Sequence, residues 1–483
     1  MIDQTTREHV DVLIVGAGLS GIGAACQVAS QHPGKTVAIL EGREALGGTW
    51  DLFRYPGIRS DSDMFTFGYR WRPWPSDTAL ADGPLILDYL HTVAEEYDVK
   101  RLIRFSHRVT GASWSSAQAR WTVRVETPDG PTTLAAGLFW SCCGYYDYET
   151  GHSPEFPGAG DFAGEIVHPQ HWPEDLDHDG KRVVVIGSGA TAITLVPAMA
   201  PTAEHVTMLQ RSPSYVLSRA ARDPLARLLR RVPGKLSYPL VRWTNILLSL
   251  GTYQLSKRRP ETVKRIVRSA TAKELPNGVD VDVHFRPSYD PWDQRVCFVP
   301  DGDLFKALRR GTASIVTDTI ETFTETGIRL HSGAELAADI IVTATGLTLK
   351  PFGGLDLSVD GEPVVLKDTM AYKALMLSGV PNFVYTIGYT NASWTLKADL
   401  VGEYVCRMLT HLDRTGHRSF VAAKDPTVGE EPFLDFSSGY VLRALDRLPK
   451  QGDRAPWQLK QNYVTDLRTI RRDDIDDGVL SFA

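Results

Sequence analysis

Cysteine is scarce in this chain: five in 483 residues, an odd number that supplies no disulfide framework and fits a reducing compartment. Cys142 and Cys143 sit together in the apolar run Leu138 to Gly144, which reads as a buried strand ending in a turn, so inert packing is expected of both. No uninterrupted apolar stretch reaches the roughly 18 residues of a spanning helix, and no basic, apolar leader precedes the first strand. A cytoplasmic protein is the expectation. Cationic surplus is missing as well, since a net charge of −6 argues against a nucleic-acid partner. His168 and His171 lie three apart, but no Cys or further His is placed to complete a metal set. What remains is 43% hydrophobic and 23% charged, an ordinary enzyme composition at a length that implies two or three domains.

Two glycine-rich turns break this ordinariness. The apolar run Val10 to Val15 leads into Gly16-Ala17-Gly18-Leu19-Ser20-Gly21 and then into a helix-compatible stretch, Ile22 to Ser30. A strand, a tight turn and a helix in that order cradle a pyrophosphate: Gly16 allows the turn, Gly18 admits the phosphates to the backbone, and Gly21 lets helix and strand pack closely. Glu41 closes a second β-rich run about 20 residues on, where an acid accepts from ribose hydroxyls and would repel a 2′-phosphate. FAD or NAD is therefore expected at this site. The device recurs at Gly187-Ser188-Gly189-Ala190-Thr191-Ala192 after the strand-like Arg182 to Ile186, with Ala192 in place of the third glycine. Its following strand, Val206 to Leu209, runs into Gln210-Arg211-Ser212 instead of an acid. A guanidinium can grip a 2′-phosphate bidentately and Ser212 adds a hydroxyl donor, so this second site is expected to prefer NADPH to NADH.

Between the two turns, Phe162 to Pro173 reads FxGxxxHxxxWP without a mismatch. Upstream stand Gly47-Gly48-Thr49-Trp50 and Arg54-Tyr55-Pro56-Gly57-Ile58-Arg59-Ser60-Asp61. Together these motifs resemble those of the type I Baeyer–Villiger monooxygenases. Asp51-Leu52-Phe53-Arg54, Pro291-Trp292-Asp293-Gln294-Arg295, Gly388 to Thr395 and Leu448 to Gly452 extend the resemblance along nearly the whole chain. It implies a flavoenzyme that uses FAD, NADPH and O₂ to convert ketones to esters or lactones, and that can also oxygenate the sulfur of sulfides and thioamides. The catalytic residue it implies is Arg295, permanently protonated and suited to stabilising negative charge beside a flavin, with Asp61 setting its position. Further FAD contacts are implied at Thr49, Trp50, Asp51, Leu52, Arg59, Ser60 and Val109, and NADPH contacts at Ile193 and Thr194. Phe162, Gly164, His168 and Trp172 mark the fingerprint, and His168 and Trp172, standing in a connector, are expected to couple domain motion to nicotinamide position instead of touching substrate.

Two other classes share both glycine turns. One is an N- or S-oxygenating flavin monooxygenase without Baeyer–Villiger activity, whose fingerprint usually lacks the terminal Trp-Pro present here. The other is a non-oxygenating NADPH-binding flavin reductase or regulatory protein. The expected fold is α/β, an FAD Rossmann-like domain interrupted by an NADPH Rossmann-like domain with a helical insertion. Residues 1–150 would form the first FAD segment, 151–180 a connector carrying the fingerprint, 181–326 the NADPH domain with its insertion near 219–290, and 327–483 the second FAD segment. Asp339 to Gly346 reads as a β-run closing in a small-residue turn, of the kind found at the return to an FAD domain. Loops around Pro73 to Pro84 and Thr427 to Pro432 are expected to be exposed or mobile. Arg219 to Arg259 interleaves arginines and lysines with leucines and has few acids. Internal packing of its apolar face, or a place along the substrate route, is the favoured reading; peripheral contact with an anionic membrane is the alternative. The natural ketone or sulfur substrate and the oligomeric state have no signature in the sequence.

Overall fold

The computed structural model describes residues 8–229, 231–434, 436 and 438–483. Its larger lobe is built on a nine-stranded mixed sheet. The first strand, His9–Val15, is buried on both faces from Val12 onward, as the apolar run Val12 to Val15 requires of a central parallel strand. It pairs in parallel with Val37–Leu40 on one side and Gly130–Ser141 on the other, and the registers set Val15 opposite both Leu40 and Ser141. Three strands thus end flush, and Gly16, Glu41 and Cys142 follow side by side along one sheet edge. An antiparallel meander, Arg108–Ser115, Arg120–Thr127 and Gly130–Ser141, completes the sheet with later strands from residues 356–363 and 383–385.

The smaller lobe repeats the plan. Five parallel strands lie in the order Ala313–Thr317, His205–Gln210, Arg182–Ile186, Ile340–Thr343, Glu165–Val167. This order moves two of the expected boundaries. The division at 326/327 falls in the turn of the antiparallel hairpin Ile320–Thr324 and Gly327–Leu330, and Ile340–Thr343 is a central strand of the second sheet, so the return to the first lobe comes after Thr343. Residues 151–180 are likewise no free connector, because Glu165–Val167 is the edge strand beside Ile340–Thr343. The two chain crossings between lobes, Tyr146–Gly151 and Leu347–Leu349, pair with each other as an antiparallel ribbon.

Helices Pro224–Leu228, Gly234–Arg258, Pro260–Glu274 and Val281–His284 form an insertion between the parallel-paired strands Val216–Arg219 and Cys297–Pro300. Arg230, within the basic segment, lies outside the described residues. The inner face of Gly234–Arg258 packs on the larger lobe through an unusual polar anchor. Buried Arg242 donates to the carbonyls of Phe65 (2.7 Å) and Gly68 (2.8 Å) and lies 3.3 Å from Asp399, itself buried on helix Trp394–Thr415. The Tyr238 hydroxyl donates to the same Phe65 carbonyl at 2.9 Å. Burial pushes the Asp399 carboxyl up to about 6, against the pull of Arg242.

The segment expected to be loose between Pro73 and Pro84 is instead buried at Trp74, Ala79, Leu80 and Ala81. Its backbone is tied to both neighbours: Ser60 and Met64 donate to the Ala81 and Ala79 carbonyls, and Ala79 donates to Ala221. Turn-forming residues there mark direction changes inside a packed layer. Thr427 to Pro432, by contrast, is mostly exposed and ends in the short strand Glu430–Pro432.

Removing one partner of a buried ion pair leaves the other charge uncompensated, at a cost of about 3–5 kcal/mol. Arg242→Met is therefore expected to lower the thermal midpoint of the holoenzyme by several degrees, measured by scanning fluorimetry. A midpoint within one degree of wild type would assign the anchoring of the insertion to apolar packing alone.

Candidate active site

The candidate site is a cavity of about 580 Å³ at the carboxyl ends of the first sheet's strands, reaching across to the second lobe. Such a crevice outside the strand ends is where an open parallel sheet places its ligands. Its floor is the first glycine turn. Gly16 holds φ +103°, and a Cβ there would come within 2.7 Å of the Cys142 carbonyl, so no side chain is tolerated. A Cβ on Gly21 would overlap the Gly16 carbonyl, which is why helix and strand approach as closely as they do. Helix Leu19–Gln31 starts without a side-chain cap or an acid in its first turn, in contrast to the aspartates that cap helices at Asp63, Asp82 and Asp223. Its first N–H groups and its dipole are left to an anion, which suits a pyrophosphate.

The rim carries most of the residues expected to contact FAD. Gly18, Ser20, Glu41, Thr49, Trp50, Leu52, Arg59, Ser60, Asp61 and Val109 all line the cavity. Glu41 is buried and accepts from the Ala17 N–H at 2.7 Å and the Arg43 N–H at 3.0 Å, which fixes its carboxylate at the strand end. The Ser20 hydroxyl accepts from the Trp394 indole at 2.8 Å, joining the first helix to a wall residue. Asp51 is the exception. It turns away from the cavity and pairs with Arg43 at 2.6 Å and Arg54 at 3.4 Å, so it shapes the turn instead of facing the cofactor. Sequence reasoning missed Tyr145, Tyr146, Tyr148 and Tyr389, which also line the site. Three tyrosines within four residues directly after Gly144 were a signal that an aromatic wall follows the strand end. Cys143 lines the cavity as well, its thiol pushed up to about 12 by burial and therefore unreactive.

From the second lobe come Ala190, Thr191, Ile193 and Thr194 at the start of helix Ala190–Met199, which also begins uncapped. Gly187, Ser188, Gly189 and the buried Ala192 stand outside the cavity, although the turn repeats the first lobe's construction. Gly187 donates to the Leu209 carbonyl at 2.8 Å as Gly16 does to Leu40 at 2.8 Å. Arg211 and Ser212 are exposed at the far strand end, away from the cavity and open to a nucleotide's outer half.

The lobes meet over one short segment. Tyr55 is hydrogen-bonded to Thr191, Gly57 abuts Ala198 and Thr194 so closely that a Cβ would lie 2.6 Å from the Ala198 methyl, and Arg59 pairs with Asp303 at 2.5 Å. Asp61 then receives Arg295 Nη1 at 2.8 Å, and both line the cavity. Arg295 follows a tight turn in which Trp292 adopts φ +73°, held from behind by the Trp292–Tyr253 ring contact and the 2.8 Å Lys257–Asp293 bridge to helix Gly234–Arg258. The Asp61 carboxylate holds the Arg295 guanidinium firmly protonated.

None of the fingerprint residues reaches the cavity. Phe162 is buried against Phe323, Gly164 leaves no room for a Cβ, which would overlap the Asp339 carbonyl, and Trp172 packs on the second lobe's core. His168 lies against Gly151, neutral because burial lowers its pKa. The Gln170 amide and the His171 ring donate to the Asp147 and Glu149 carbonyls at 2.8 and 2.9 Å. The motif thus clips onto the connecting strand Tyr146–Gly151.

A fold with two dinucleotide sites opening on one cavity, with a cationic side chain between them, defines a two-dinucleotide flavoprotein. The chain belongs to the flavin-binding monooxygenase-like family, whose model matches residues 73–377, while an NAD(P)-binding Rossmann-like domain model matches residues 14–77. It is 55% identical over 479 residues to the FAD-containing monooxygenase EthA of Mycobacterium tuberculosis, spanning 99% of this chain and 98% of that protein. It is 49% identical to a probable FAD-binding monooxygenase, AlmA, of Acinetobacter baylyi, over 99% of this chain and 96% of that one. A steroid monooxygenase solved with NADP superposes with a TM-score of 0.73 at 25% identity, covering 86% of this chain and 88% of that one. The protein is an FAD-containing, NADPH-dependent monooxygenase.

If Arg211 holds the 2′-phosphate, Arg211→Ala should weaken NADPH by about 1.5–3 kcal/mol, the scale of a charged hydrogen bond, and leave NADH nearly unchanged. Steady-state kinetics with both nucleotides measures this. An equal loss with NADH would take Arg211 out of the site.

Proposed function

We propose that this monooxygenase is of the Baeyer–Villiger type, converting ketones to esters or lactones and oxygenating the sulfur of sulfides and thioamides. The observation that carries the reading is the Arg295–Asp61 pair facing the cavity from opposite lobes. FAD bound here and reduced by NADPH supplies the activation of O₂ that no side chain can. What the chain's own residues contribute is charge and placement. Inserting oxygen beside a carbonyl builds negative charge on the carbonyl oxygen, and a fixed, protonated guanidinium at the reacting centre stabilises it without reorganising. Nη1 is committed to Asp61, and the other guanidinium nitrogens carry further donors. The Tyr146 phenol, pushed up to about 12 by burial, stays protonated beside it. Asp61 positions the arginine, and Tyr145, Tyr146 and Trp394 line the cavity as an aromatic wall.

In this reading the first glycine turn, Glu41, Thr49, Trp50, Leu52 and Val109 hold FAD, and Ser188 to Thr194 with Arg211 and Ser212 hold NADPH. Of the fingerprint, Phe162, Gly164 and Trp172 hold to the second lobe while His168 meets the ribbon at Gly151, a placement that suits coupling of domain motion to nicotinamide position. Five cysteines without a disulfide support a cytoplasmic site of action, and no described helix is long and apolar enough to cross a membrane.

Arg295→Ala leaves both glycine turns untouched, so FAD should stay bound and NADPH should still reduce it. Ester formation should fall by about 10²–10³ or more, the scale of oxyanion-type deletions, while NADPH consumption continues and H₂O₂ appears. NADPH oxidation, H₂O₂ and ester are measured in one reaction with a ketone the wild type accepts. Near wild-type ester yield would refute the role of Arg295. A wild type that forms sulfoxides from sulfides but no ester from any ketone in a linear, cyclic and aryl panel would favour the S-oxygenating class.

A further inference from the structure

The long helix of the insertion has a second apolar face, most of it exposed, with Trp243 leaning on a neighbour, Tyr463. On Gly234–Arg258, Leu236, Leu240, Trp243 and Leu247 recur at helical spacing along one side, and Leu248 and Leu255 widen the stripe. Leu236 is 68% exposed, Leu247 59% and Leu248 61%. Leu228 and Val232 continue the surface onto the preceding short helix and turn. The opposite side carries Val241, Arg242, Asn245 and Ile246, all buried and held to the larger lobe by the Arg242 anchor. With that anchor made, the helix cannot rotate its leucines inward. The expectation of internal packing holds for one face only.

The charges carried by this segment itself are of one sign. From Pro224 to Pro260 the sequence contains no Asp or Glu, in a chain whose net charge is −6. Arg227, Arg231, Lys235, Arg258 and Arg259 are exposed at its two ends. A lone leucine at the surface means little, but a contiguous apolar stripe on a segment whose own charges are all cationic marks an interaction site.

We propose that this face is a docking surface for an anionic lipid bilayer. The leucines and Trp243 would enter the boundary between headgroups and acyl chains, and the flanking cations would sit at the lipid phosphates. A second copy of the chain fits worse, because a two-fold contact would set the cations of one segment against those of the other, and neither segment carries an acid to answer them. The helix would lie on the surface and not cross it, since no described helix is both long and apolar enough to span a bilayer and its inner face is held to the larger lobe by Arg242.

The test is flotation of the holoenzyme with phosphatidylglycerol or phosphatidylcholine vesicles at low and high salt. Neither ketone nor NADPH turnover enters it, so its outcome is independent of the oxygenation chemistry. Wild type should bind phosphatidylglycerol vesicles at low salt and release as salt screens the charges. The surface variant Leu236→Gln/Leu240→Gln/Leu247→Gln should bind roughly tenfold less, the consequence of losing three inserted side chains. It should keep its FAD and its rate of NADPH oxidation. Arg227→Gln/Arg231→Gln/Lys235→Gln should lose the preference for the anionic lipid. Three results would overturn the proposal: no binding of wild type at low salt, equal binding by the leucine variant, or sedimentation showing that the leucine face makes a dimer that ignores vesicles.

Discussion

One carboxylate–guanidinium contact ties this molecule together. Asp61 belongs to the FAD lobe and Arg295 to the other, and at 2.8 Å each fixes the other's place at the cavity. Everything around the contact serves to bring those two atoms together. The segment from Tyr55 to Asp61 crosses to the second lobe through Thr191, Ala198 and Asp303 before it reaches Arg295. The turn carrying Arg295 is braced by the insertion's long helix, and that helix is anchored by Arg242 to the first lobe. The bracing closes a circuit: first lobe to insertion, insertion to arginine, arginine back to the first lobe.

A circuit of this kind explains the presence of buried charge in the insertion. An apolar pair could replace Arg242 and Asp399 at similar stability, since desolvation offsets most of the attraction between buried ions. What the guanidinium adds is direction. Its fork reaches two carbonyls of the same turn, at Phe65 and Gly68, and so specifies one orientation of a helix whose apolar residues run on both sides.

Much of this was legible in the sequence because it is local. A strand, a glycine turn and a helix are neighbours in the chain, and the spacing from Gly21 to Glu41 spans one βαβ unit. The wrong boundary at 326/327 has a physical source. Ile340–Thr343 is an apolar run buried on both faces, and nothing in such a run states which of two similar sheets it joins. Asp51 shared a motif with cavity residues but lies one position along a helical turn, enough to point it at Arg43 instead. Arg242 and Asp399 are separated by 157 residues, and their meeting could not be read from either segment. Tyr145, Tyr146 and Tyr148 are local too, three tyrosines in the four residues after Gly144, where the strand end opens onto the cavity.

The two strands joining the lobes are hydrogen-bonded to each other, and this has a mechanical meaning. A paired ribbon holds its length and keeps the bodies it joins from drifting apart, so the softest motion left to them is a hinge turn. Tyr146 begins the ribbon and also lines the cavity, while Arg211 stands at the far end of its strand. Points near a pivot travel least. A turn about the ribbon would therefore swing the outer half of a bound nucleotide through a wide arc and leave the reacting end almost still, so loading and release can proceed at the rim while the centre keeps its alignment.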